Sequence, residues 1–156
     1  MNRVFDILRF AIISPEFVVL LLCTAVAYNF PDAFILIGKK LKTEPELWKF
    51  IPTLPFIFIG VTFKVAQKVH APLENASNKQ LYEWGLFNKV TDRIIASYFI
   101  CIFCCAASLT IWFFISELSE LMLGSVLLSS ILISGLTTFQ ITLAAQKIRL
   151  LIEKYS

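Results

Sequence analysis

Apolar residues along this chain come in long blocks separated by short charged stretches, without the alternation of a half-buried strand or the 3.6-residue recurrence of a surface helix. Four blocks stand out, at residues 17–38, 50–66, 94–115 and 121–145. A helix crossing ~30 Å of hydrocarbon needs about 20 residues at about 1.5 Å each, so these lengths predict transmembrane helices. Residues 94–115 make the clearest of them, 22 residues with no charge, proline or glycine. The five-residue polar link that follows is too short to carry the chain across a bilayer, so 94–115 and 121–145 must form an antiparallel hairpin. Residues 15–66, with the charged connection 39–49 between their two blocks, are expected to form the first hairpin.

Punctuation between the blocks refines this picture. Residues 1–14 space Val4, Phe5, Ile7, Leu8, Ala11 and Ile12 on one helix face, with Arg3, Asp6 and Arg9 on much of the other, which predicts a short interfacial amphipathic helix. Ser14, Pro15 and Glu16 are a helix start: a capping hydroxyl, a proline where no amide is missed, and an acid at the positive end of the helix dipole. Pro31 interrupts the first block, and residues 17–38 read as one crossing kinked near its end. The second block carries Pro52, Pro55 and Gly60 and reads as a short, bent crossing. Residues 67–93 are the longest polar stretch, with Leu81, Tyr82, Trp84 and Phe87 spaced for an amphipathic helix at the membrane surface or against a partner. Residues 146–156 continue the last crossing as a helical tail. The expected fold is therefore an all-α integral membrane protein of about four transmembrane helices in two hairpins.

Composition agrees with the blocks. The chain is 58% hydrophobic and 16% charged with a mean hydropathy of +0.77, against roughly 45–50% apolar and about 25% charged in a soluble domain. Lys and Arg set the orientation. Ten of the fourteen basic residues lie in the terminal segments and around residues 64–93, and the opposite side holds Lys39, Lys40, Lys42 and Lys49. Both termini are thus expected in the cytoplasm, and short polar segments suggest a bacterial inner membrane. The net charge of +3 is dispersed and forms no patch with groove-reading or base-stacking residues, so nucleic acid is not an expected partner.

Candidate chemistry is sparse. Cys101, Cys104 and Cys105 share a helical face, but a metal site needs further ligands and His70 is the single histidine, so the sulfurs read as small apolar packing groups and no metal or cofactor is expected. Ser130, Ser134, Thr138 and Thr142 recur every four residues beside Gly135, a ridge that suits close helix packing or, in a second reading, the lining of a pore. Gln140 on the same helix needs a partner and is expected to face another helix. Asp32 is the one acid inside an apolar block, read as a hydrated helix end rather than a proton relay. Asn75, Ala76 and Ser77 form a glycosylation sequon that cytoplasmic placement leaves unused. Tyr82, Trp84, Phe87 and Lys89, with Lys147 and Arg149 of the tail, are the candidate partner surface, which an interfacial aromatic anchor explains equally well.

These features predict a non-enzymatic membrane scaffold or sensor subunit that forms homo-oligomers in the lipid bilayer and recruits a soluble cytoplasmic protein. Small size and the absence of catalytic groups suggest bacterial stress or phage defence. The alternative is an oligomeric pore-forming or membrane-perturbing effector. A transporter or intramembrane enzyme ranks last, because proton relays and catalysis at depth require acids, histidines or metal ligands there.

Overall fold

A computed structural model describes residues 14–70, 84–85 and 87–155. The interfacial helix expected over residues 1–14, the turn with its sequon, and Tyr82 lie outside this set, save for Ser14. The described residues are helical without a strand. Five helices follow one another among the described residues: α1 (Pro15–Asn29), α2 (Pro31–Thr43), α3 (Phe50–His70), α4 (Phe87–Phe113) and α5 (Glu120–Tyr155), with a 3-10 turn (Pro45–Lys49) leading into α3. Among the described residues three segments are long and apolar enough to cross a membrane: Glu46–Val69, Phe87–Phe113 and Glu120–Glu153. They are joined by a fourth if α1 and α2 count as one broken span.

The start of α1 follows local chemistry. Ser14 Oγ accepts the Phe17 amide at 3.2 Å and Pro15 occupies the first turn. At the end of α1 the interruption expected at Pro31 is a sharp bend: α1 and α2 meet at 94°. Pro31 has no amide to donate and disfavours helical geometry at the residue before it, so Phe30 leaves the helical region at φ −132° and ψ 65°. Pro31 then opens a new helix, which runs past Gly38 through Lys39, Lys40 and Lys42 to Thr43. The helices also run into the polar stretch 67–93 from both sides. Residues 67–70 belong to α3 and α4 begins at Phe87, because helical hydrogen bonding continues after apolar character ends.

α4 and α5 pack antiparallel, α3 lies against both, and α2 crosses the end of the pair formed by the α4–α5 turn. At that end Leu41, Ile51, Ile111, Ile115, Leu123 and Leu127 make one core, and the Trp48 indole donates to the Leu41 carbonyl at 2.5 Å, satisfying one of the free carbonyls at the end of α2. At the opposite end Ala66, Val69, Ile94, Ile141 and Ile148 make another. The crossing of α2 over α5 is a backbone contact. A Cβ on Gly38 would overlap the Glu120 carbonyl, and one on Gly124 would overlap the Phe34 carbonyl.

Between the two cores the interior is small and hydroxylated while the exterior is large and apolar. Thr62, Ser97, Ser108, Ser134 and Thr137 are buried, whereas Phe99, Phe103, Phe113 and Phe139 are exposed. Each hydroxyl of the α5 ridge donates to a carbonyl one turn back on its own helix, and Thr138 also meets Thr62 of α3 at 2.9 Å. Since a hydroxyl has one proton, and that of Thr138 goes to Ser134, the order is Thr62 to Thr138 to Ser134, with the Cys101 thiol 3.8 Å from Thr62. Replacing Thr62 by Val removes its bond to Thr138 and its weaker contact with the Cys101 thiol but leaves Thr138 its own acceptor. The expected loss is therefore only about 1 kcal/mol in denaturant unfolding of the micellar protein.

Candidate functional site: a buried acid beside an apolar cavity

The first acid of α1 is the most buried charged side chain of the ion pairs among the described residues. Glu16 stands in the first turn, where the helix dipole favours a negative charge, yet it is only 3% exposed. Burial of a carboxylate is costly unless it is paired. Here the Arg93 guanidinium, from the second turn of α4, donates to Glu16 Oε1 at 2.5 Å and to Gln140 Oε1 of α5 at 2.9 Å. The Thr137 hydroxyl lies 3.3 Å from the same carboxylate oxygen, although its shorter bond, 2.8 Å, goes to the Ile133 carbonyl. One cluster thus ties the start of α1 to α4 and α5. The other carboxylate oxygen, Glu16 Oε2, is buried with no hydrogen-bond partner among the described residues.

Glu16 also lines a cavity of about 730 Å³ between α1, α4 and α5. Phe17 and Leu20 of α1, Phe103 and Cys104 of α4, and Ser129 of α5 represent its mostly apolar wall. The volume falls within the roughly 300–1,000 Å³ typical of small-molecule sites. On the other flank of α1 a smaller cavity of about 430 Å³ runs along Val19, Leu22 and Val26. With a cavity on each side, α1 buries only Glu16 and Cys23 of its own residues. It is held at one end by the ion pair and at the other by α2.

Sequence reasoning named Gln140 for this region, and its side chain meets Arg93 of another helix. It missed Glu16 and Arg93, reading one as a helix-start acid and the other as the end of a polar loop. An acid adjoining an apolar block, with an arginine just before another, was the available signal. The ridge residues Ser130, Ser134 and Thr138 are buried inside the chain, and Gly135 faces the Phe58 ring of α3, where a Cβ would make ordinary contact at 3.6 Å. Thr142 is partly buried.

Trp84 is exposed just before α4, Phe87 packs against the core around Ala66, and Lys89 and Lys147 are exposed. Arg149 pairs with Glu153 at 2.7 Å on the outer face of α5. Cys101, Cys104 and Cys105 are buried free thiols, and no group of three His, Cys, Asp or Glu side chains among the described residues is arranged to hold a metal ion. Compared with known protein families, curated proteins and solved structures, the chain matches none.

Proposed function

We propose that this chain is a non-enzymatic membrane scaffold or sensor subunit. In this reading it crosses a bacterial inner membrane four times in two hairpins, keeps both termini in the cytoplasm, and recruits a soluble protein through the end of α5. The membrane part draws support from the inverted interior, with small hydroxyls inside and phenylalanines outside, which suits an apolar solvent. The bent α1–α2 pair supplies the first crossing, with the exposed apolar side chains of α1 facing the lipid.

The observation that carries recruitment is the length of α5. Its 36 residues extend about 54 Å, against a hydrocarbon thickness of ~30 Å, so the last turns stand clear of the lipid. There Leu150 and Leu151 are 65% and 52% exposed beside Lys147 and Arg149. An apolar and basic helix end of this kind suits a partner with an acidic rim around an apolar groove. The hydroxyl ridge lies within one chain, which removes the support that the pore reading drew from it. Homo-oligomers would instead meet through exposed phenylalanines such as Phe103 and Phe139.

Gentle affinity isolation of the full chain followed by native mass spectrometry tests this. A soluble protein should co-purify in fixed ratio and be lost, by tenfold or more, from the Lys147→Glu/Leu150→Ser variant while thermal stability is unchanged. Absence of any stoichiometric soluble partner, or equal recovery with the variant, overturns recruitment by α5.

A further inference from the structure

The cavity beside Glu16 calls for an occupant independently of any soluble partner. Its wall is apolar over most of its extent, with phenylalanines at its flank, while one end carries Ser14 and the carboxylate. Glu16 Oε2 has no hydrogen-bond partner among the described residues, although the residue is 97% removed from solvent by its 3% exposure. An unsatisfied buried acceptor is unfavourable, and more so for a charged group. The hydroxyls elsewhere along the wall do not repeat this condition: Ser129 and Ser130 donate to carbonyls of their own helix.

We propose that the cavity binds an uncharged lipid with an elongated apolar body and a single hydroxyl head, the head donating to Glu16 Oε2 and the body lying between α1, α4 and α5. Charge selects the head. The Glu16 and Arg93 pair is already neutral as a unit, so a cationic head would add an uncompensated charge to an apolar site, and an anionic head would oppose the carboxylate. A hydroxyl supplies the missing donor and adds no charge. Size selects it as well: Oε2 is covered, so the head must displace its neighbours to reach it, and a hydroxyl needs least room. Access is from the side, since α1 is flanked by cavities and buries few of its own residues. A ligand seated there touches the three helices that the Arg93 cluster joins.

Photolabelling of the full chain in detergent micelles with a diazirine-bearing hexadecanol tests the assignment. Labels should map to α1 and α4 near Phe17, Leu20 and Phe103. Unlabelled hexadecanol should compete at least tenfold better than hexadecane or hexadecyltrimethylammonium, the discrimination expected of a hydrogen bond to a charged acceptor. Ala107→Phe and Ala27→Phe, which fill the cavity from two helices without touching the ion pair, should each reduce labelling tenfold or more at unchanged thermal stability. Equal competition by hexadecane would mean a crevice that accepts any chain, and stronger competition by the ammonium would mean a cation site. Either result overturns the proposal, as does labelling undiminished in both filled variants.

Discussion

Gly38→Ala and Gly124→Ala should each destabilise the protein by about 3 kcal/mol, at the upper end of what overpacking costs. An added methyl on Gly38 would stand 2.8 Å from Glu120 Cα, and one on Gly124 would stand 3.1 Å from Phe34 Cα, besides overlapping the carbonyls of those residues. Backbone meets backbone at both points, so no side chain can turn aside to make room. The remedy is for α2 to lift from α5, which would open the core around Leu41, Ile51 and Leu123. Gly60→Ala is the internal control. Nothing lies within 4 Å of a Cβ there, and relief of the helix penalty of glycine should stabilise by about 0.5–1 kcal/mol. Denaturant titration of the three variants in mixed micelles measures all of this. Indistinguishable midpoints for Gly38→Ala and Gly60→Ala would refute the close crossing.

Arg93→Met should cost about 3–5 kcal/mol, the penalty for stranding a buried charge. Its partner cannot escape: Glu16 is 3% exposed, whereas the Arg93 side chain is 25% exposed and can turn outward when the situation is reversed. Glu16→Gln, which keeps the shape and an acceptor for Arg93, should therefore cost clearly less than Arg93→Met. The double variant Glu16→Leu/Arg93→Met should be more stable than Arg93→Met alone, because replacing a buried pair by apolar groups is often neutral or favourable. Gln140 would lose its donor in both Arg93 variants, so that loss cancels in the comparison. The same titrations, with the single variant Glu16→Leu added to close a mutant cycle with Arg93→Met, give the coupling. Additive effects of the two single substitutions would mean that the contact contributes nothing to stability.

These two sets of residues show where sequence reasoning reached and where it stopped. The start of α1 was legible because Ser14, Pro15 and Glu16 act within one turn, and the helices around 94–113 and 121–145 were legible because their apolar runs are longer than any break inside them. Pro31 was recognised as an interruption, but a proline sets the place of a bend and not its size. The 94° angle depends on α2 finding a seat across α5. Gly38 was taken as the end of a crossing and Gly124 went unremarked, because a close approach is a property of two segments and neither glycine is unusual within its own.

The hydroxyl ridge was visible for the same reason as the helix start: a period of four on one helix is local. Its direction was not, because a face of small hydroxyls packs equally well within a chain, between subunits or around water. Contact with Thr62 and Phe58 of α3 decided for the interior. Amino-acid order alone determined that the chain is helical, where its long apolar helices lie, and how the first of them begins, since these depend on block length and on neighbours in sequence. Tertiary structure alone decided that Glu16 is buried, that an arginine 77 positions away neutralises it while a glutamine shares that arginine, and that a cavity remains beside them. Such pairings follow from the tilt and rotation of whole helices, which are set by all their contacts together and by no local pattern.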